Sequence, residues 1–340
     1  MLVGVCDFPG DYAFPPSGYG GIERWLWAVA VGARAAGADV HLLGPLWRSE
    51  LSDEWTVHPI RLEEVTPNSR EARALRDTDY ELLVVGHEYP SLPAWRAVWE
   101  TLETDLATFQ HWPYFQHQPE AFDGVRARLY CYSEQMRQRY AAQRPITELA
   151  VHLGLEEAEL PARDGDGVLW IGRIDRQKAP HLAIRAAGLL GREITIAGPL
   201  FDRGYLDAHS GDLGANHVTL VGEVGGAAKM RLLAGAGTLV YTCARDYIEA
   251  GAASFGEALR AGTPVVALAW QPGTCAEAAL CEQTGTVVRL DRNADDEIAA
   301  KALADAIGQV TPLRAADVQE IGLARFDPLQ HYQALATRPC

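Results

Sequence analysis

Gly172-Arg-Ile-Asp-Arg-Gln-Lys-Ala-Pro180 follows directly on an apolar run and holds two cations five positions apart, Arg173 and Lys178. A guanidinium can hold phosphate oxygens through two parallel hydrogen bonds, and an ammonium adds a compact point charge. Only 3 of the 30 basic residues are lysines, so an ammonium kept at position 178 points to a place that wants one. The same residues also fit a solvated turn in which Arg173 pairs with Asp175. Glycines supply a second phosphate chemistry. In Gly18-Tyr-Gly-Gly-Ile-Glu-Arg24, Gly20 and Gly21 open a helix predicted to run to about residue 36. Backbone N–H groups at such a start can approach a phosphate, whose charge the helix dipole favours. The stretch departs from G-x-G-x-x-G because its sixth position is Glu23, and an ordinary loop ahead of a helix reads equally well.

Two carboxylates stand eight positions apart, Glu249 and Glu257, where a loop feeds a short helix and then an apolar strand. Ser254 followed by Glu257 matches the S-x-x-E capping box, so Glu257 taken alone could cap a helix, and Glu249 could be a solvated loop residue. His111, in Phe109-Gln-His-Trp-Pro-Tyr-Phe115, stands at a predicted strand end. A single histidine there is by itself more often structural or exposed than functional.

The elements that must carry these residues follow from hydrophobic patterning. Apolar, β-branched runs alternate with helical stretches, the signature of parallel sheets covered by helices. Strands are predicted at 2–6, 39–43, 81–85, 106–110 and 128–132, and then at 168–172, 193–197, 218–221, 238–241, 264–268 and 285–290. Two such series imply two doubly wound sheets, which suits a chain of 340 residues. A turn-rich linker is expected over 156–167, and helices over 295–309 and 315–324. Ligands of open α/β sheets bind beyond the carboxyl ends of strands, and that is where Arg173, Lys178 and His111 fall.

Composition narrows the partners. The net charge of −15 argues against nucleic acid and anionic lipid. The imbalance lies mostly in residues 1–160, which hold 13 arginines, no lysine and 24 acidic residues. No stretch is long and apolar enough to cross a bilayer, and no basic segment precedes the first apolar run, so membrane insertion is not expected and the chain is read as cytoplasmic. The six cysteines form no C-x-x-C pair and are expected as thiols. Asp77-Thr-Asp79 and Asp164-Gly-Asp166 match a D-x-D metal signature, yet neither stands at a convincing strand end. With Arg173 and Lys178 available for phosphate, no metal is required.

The stretch 168–266 resembles the retaining GT-B glycosyltransferases, specifically family 4 of that group. It carries their G-R-x-x-x-x-K as Gly172, Arg173 and Lys178, and their E-x7-E as Glu249 and Glu257, followed by Ala-Gly-Thr-Pro-Val-Val. The Gly20–Gly21 turn matches the same family, and the resemblance extends less specifically over nearly the whole chain. It implies an α/β GT-B fold of two doubly wound Rossmann-like domains facing a cleft. Residues 1–160 would bind the acceptor, 161–325 the nucleotide-sugar donor, and 326–340 would pack back on the first domain as a helix.

The activity implied is transfer of a sugar, with retention at the anomeric carbon, from a UDP or dTDP sugar to a small soluble acceptor of the antibiotic or secondary-metabolite kind. The donor is a substrate, UDP or dTDP is the product, and no cofactor is implied. By resemblance Arg173 and Lys178 grip the diphosphate, Glu249 and His111 meet the donor sugar, and Glu257 meets the ribose. Gly20, Gly21 and the backbone of Gly251, Ala252 and Ala253 complete the donor contacts. Trp112, Tyr114, Phe115 and the loop 8–19 are candidates for the acceptor side. One departure stands out: the family has Pro-Phe-Gly after the first glutamate, where this chain has Ala250-Gly251-Ala252 and places Phe255-Gly256 later. A nucleotide-sugar 2-epimerase of the same architecture, or a non-catalytic nucleotide-sugar-binding protein, would use many of the same residues.

Overall fold

The structure is a computed structural model that describes residues 1–7, 13–18, 20–61, 64–86, 93–111, 127–141, 148–149 and 160–337. The chain divides into two compact units. One comprises Met1–Pro16, Gly20–Glu156 and Asp327–Cys340, and the other Ser17–Tyr19 and Glu157–Phe326.

The first unit is built on a parallel sheet of β1 (Leu2–Cys6), β2 (Asp39–Leu43), β3 (Thr56–His58), β4 (Leu82–Val85), β5 (Asp105–Phe109), β6 (Ala127–Cys131) and β7 (Glu148–Leu149). Their order is β3-β2-β1-β4-β5-β6-β7. Helices α1 (Gly21–Ala35), α2 (Arg70–Asp77), α3 (Pro93–Trp99) and α4 (Glu134–Ala141) connect them. Central strands are covered on both faces, which is why β4 reads Leu-Leu-Val-Val with every residue buried.

The second unit repeats the plan with β8 (Gly167–Ile171), β9 (Ile194–Ala197), β10 (Val218–Gly222), β11 (Ala236–Tyr241), β12 (Val265–Ala269) and β13 (Gly285–Arg289), in the order β10-β9-β8-β11-β12-β13. Its helices are α5 (His181–Leu189), α6 (Arg203–Ala208), α7 (Ser210–Leu213), α8 (Gly226–Gly235), α9 (Ala253–Arg260), α10 (Cys275–Ala279), α11 (Asp296–Val310) and α12 (Ala315–Arg325). The strand order reverses between β8 and β11, the position where open sheets form a crevice at their carboxyl ends. A last helix, α13 (Pro328–Ala336), lies against α1 in the first unit, where Gly32 leaves room that a Cβ would take from the Pro328 carbonyl.

The eleven strands expected from the sequence all form, with ends shifted by no more than two residues. Two strands were not anticipated, β3 and β7. They are three- and two-residue pieces on the sheet edges, too short to show a buried pattern. Cys6, Cys131, Cys243 and Cys275 are buried thiols, and Cys340 lies outside the described residues. Among the described residues no helix is long and apolar enough to cross a membrane.

Candidate functional site

The turn after β8 begins with a close backbone approach. Gly198, at φ 145, lies so near Gly172 that a Cβ would overlap the Gly172 carbonyl, so β8 and β9 end together and the following residues leave the sheet edge in one direction. Asp175, only 4% exposed, then organises both cations. Its Oδ2 lies 3.4 Å from Arg173 Nη1, and its Oδ1 accepts the Lys178 backbone N–H at 2.8 Å. Arg173 also donates to Gln177 Oε1 at 3.0 Å and stacks over the Phe201 ring at 4.9 Å. The Arg173–Asp175 pair is therefore part of a folded turn rather than a solvated one. Ala179 takes φ 45, an uncommon value for a residue with a side chain, and Pro180 then starts α5.

The neighbouring strand fixes this turn. Trp170 Nε1 donates to Thr242 Oγ1 at 2.9 Å, and Thr242 Oγ1 donates to the Lys178 carbonyl at 2.7 Å. Ala244 N–H donates to the Gln177 carbonyl at 2.8 Å. Thus the segments leaving β8 and β11 are joined, and Lys178 is brought to Glu249. Its Nζ donates to Glu249 Oε2, which also accepts from Tyr241 Oη at 2.9 Å. The rings of Tyr247 and Tyr241 flank the ammonium at 5.1 Å and 5.5 Å. Glu249 is consequently paired and mostly covered, not a solvated loop carboxylate. Burial, followed by the charge of Arg173, pulls Lys178 down from 10.5 to about 8, while Cys243, Cys275 and Asp175 pull the other way.

Glu257 differs from the helix cap that Ser254 could have implied. The N-cap of α9 is Ala252, which supplies no side-chain hydrogen bond, and Ser254 lies inside the helix. Glu257 is 3% exposed, and its Oε1 accepts from Lys229 Nζ on α8. Phe255, 2% exposed, packs edge-on to Tyr241 at 4.9 Å and lies within α9, whereas Ala250 and Gly251 precede that helix. Gly251 precedes the helix and Ala253 is its first residue. On α10 the Glu277 carboxylate reaches back to accept the Thr274 N–H at 3.0 Å, the glutamate half of a capping box.

Of the expected site residues, Arg173, Lys178, Glu249, Gly251, Ala252, Ala253 and Glu257 lie in the second unit, and Gly20, Gly21 and His111 in the first. His111 follows β5 and packs among rings, 5.0 Å from Trp25 and 5.5 Å from Tyr132. Gly20, at φ 145, caps α1, and the Glu23 carboxylate folds back to within 2.9 Å of where a Gly20 Cβ would be. Burial raises the Glu23 pKa. The glutamate that breaks the glycine pattern thus lies against the helix start itself. Trp112, Tyr114, Phe115 and most of the loop 8–19 lie outside the described residues. Of the D-x-D aspartates, Asp77 ends α2, and Asp164 accepts the Ala315 N–H at 3.0 Å, so neither arises at the end of a strand. Sequence reasoning missed Lys229, Tyr241 and Thr242. The scarcity of lysine that drew notice to Lys178 applies equally to Lys229.

Two cations and a carboxylate held at the β8–β11 switch point can bind a diphosphate and the hydroxyl groups next to it. Residues 156–310 match the family model of glycosyl transferases group 1. That span contains the whole Arg173, Lys178, Glu249 and Glu257 arrangement. Among solved structures, AviGT4, a glycosyltransferase involved in avilamycin A biosynthesis, is 22% identical over 98% of this chain and 95% of its own, with a TM-score of 0.72. Anabaena HepE, solved with UDP and glucose, is 16% identical over 98% and 97%, with a TM-score of 0.68. WaaG, a glycosyltransferase involved in lipopolysaccharide biosynthesis, is 15% identical over 98% of each chain, with a TM-score of 0.67. The chain has the two-domain α/β fold of GT-B glycosyltransferases. No curated protein matches the chain in sequence.

Proposed function

We propose that the protein is a retaining glycosyltransferase that moves a sugar from a UDP or dTDP sugar to a small soluble acceptor. The observation that carries this reading is the joining of Arg173, Lys178 and Glu249 at the carboxyl ends of β8 and β11, within the span that matches glycosyl transferases group 1. In this reading the donor diphosphate lies on Arg173 and Lys178. As the bond to the anomeric carbon breaks, negative charge grows on the β-phosphate, and cations already in place favour that state over the ground state. Lys178 then shifts from Glu249 to phosphate, and Glu249 turns its oxygens to the sugar hydroxyls. His111 would orient the sugar and Glu257 the ribose. The leaving phosphate would help deprotonate the acceptor on the same face, which keeps the configuration without a carboxylate nucleophile of the glycosidase kind. The acidity of residues 1–160 supports a soluble acceptor over an anionic lipid surface, and the likeness to AviGT4 supports one of the secondary-metabolite kind.

The test is thermal stability with UDP, dTDP, GDP, ADP and NAD. A ligand at about a hundred times its dissociation constant adds roughly 2.7 kcal/mol to the folded state. Stabilisation by UDP or dTDP that is lost in Glu257→Gln supports the donor site. A response to NAD alone, or to no diphosphate, overturns it. Conversion of a UDP sugar without acceptor would indicate the epimerase reaction instead.

A further inference from the structure

We infer that Lys229 is a positioning residue, one that fixes the Glu257 carboxylate so that it meets the ribose of a bound nucleoside diphosphate; the inference rests on the donor reading above. Lys229 lies in the first turns of α8 and Glu257 in α9, and the two residues are 6% and 3% exposed. Lys229 Nζ donates to Glu257 Oε1. Removing both charges from water is costly, and apolar residues of similar volume would hold two helices together at least as well. Helix packing alone therefore does not account for an ion pair here. Lysine usage sharpens the point. Of the three lysines in the chain, Lys301 is an exposed residue of α11, whereas Lys178 and Lys229 each pair with one of the two glutamates eight positions apart.

The geometry supports a directional role. α9 is fixed by Phe255 against Tyr241, and the Lys229 N–H donates to the Gly225 carbonyl at 3.2 Å, so both ends of the pair arise from ordered backbone. A carboxylate oriented in a low-dielectric site by a cationic partner forms a strong hydrogen bond to a hydroxyl that arrives in the right direction. It also discriminates against a ligand lacking that hydroxyl. Lys229 is thus assigned to selectivity for the ribose rather than to the chemical step.

The experiment measures dissociation constants of UDP and 2′,3′-dideoxy-UDP, and of dTDP and 3′-deoxy-dTDP, for the wild type, Glu257→Gln, Lys229→Met and Lys229→Arg. The wild type is expected to prefer the hydroxylated nucleotide by about tenfold to a hundredfold, the worth of a hydrogen bond to a charged group. Both Lys229 variants are expected to reduce that preference to less than about threefold, with little change in binding of the deoxy form. Lys229→Arg keeps a positive charge beside Glu257 and so tests the geometry even where Lys229→Met, which removes that charge from beside a buried carboxylate, fails to fold. A lysine with only a structural role would shift both nucleotides of a pair alike, and that result overturns the inference. If Glu257→Gln abolishes the preference while the Lys229 variants keep it, the inference falls and the donor reading stands. If Glu257→Gln leaves the preference intact, or no nucleoside diphosphate binds the wild type, the donor reading falls and the inference with it.

Discussion

Lys178 stands between opposing influences: burial and the charge of Arg173 favour its neutral form, while Cys243, Cys275 and Asp175 favour its charge. The balance leaves the ammonium down near about 8. Two outcomes follow for this residue. Removing the side chain in Lys178→Ala deletes a preplaced cation, and loss of one such stabilising group lowers turnover by about a hundredfold to a thousandfold. Turnover measured beside a circular dichroism spectrum checks this, and a near-normal rate would refute the role. The second outcome is a pH dependence. Between about 8 and 10.5 the folded protein holds fewer protons at Lys178 than the unfolded chain, so this group's contribution to stability grows as pH rises through that window. Binding of a diphosphate runs the other way, because it needs the charged form. UDP or dTDP affinity should be full below about 8 and fall above it, with a proton taken up on binding near that pH. Titration calorimetry in buffers of different ionisation enthalpy reads the proton directly.

At the scale of elements, the parts that the sequence made legible are those whose physics is local. Central strands such as β12, Val-Val-Ala-Leu-Ala with all five residues buried, show as unbroken apolar runs, and Gly172 to Lys178 shows as a turn because it follows one. What stayed hidden depends on contacts between distant segments. Glu249 meets Lys178 across 71 positions and Glu257 meets Lys229 across 28, so spacing alone left a solvated residue and a helix cap open as readings. The same holds for α13, whose docking turns on a pair 306 positions apart: Trp25 Nε1 donates to His331 Nε2 at 2.8 Å. That bond needs the unprotonated ring, and burial pulls His331 from 6.5 to about 4. The folded pKa lies below the unfolded one, so the contribution of His331 is complete above 6.5 and is lost as pH falls through about 4. Urea midpoints of the wild type should decline across that range. In His331→Leu the midpoint should be lower at neutral pH, where the Trp25 N–H loses its acceptor, and the decline should be shallower. An unchanged slope in the variant would show that acid acts elsewhere, for instance at His181, which burial and His209 also pull down to about 4.

For the molecule as a whole, the two units have separate sheets, and the charged residues of the proposed donor site all belong to one of them. A ligand that binds only the folded form of that unit stabilises it by mass action. The hydrogen bonds from Thr242 to the Lys178 carbonyl and from Ala244 to the Gln177 carbonyl, together with the α8–α9 pair, couple the donor residues to β8, β11, α8 and α9. Hydrogen exchange should therefore slow at the backbone of 172–180, 242–253 and the start of α8 when UDP or dTDP is added. The β10 edge strand of the same sheet, where Thr219 to Gly222 are exposed, should change little, because it shares none of those bonds. Protection spread evenly over both units would mean that nucleotide binding orders the whole chain. Protection confined to the first unit, around Gly20, Gly21 and His111, would place the nucleotide away from Arg173 and Lys178 and overturn the donor assignment.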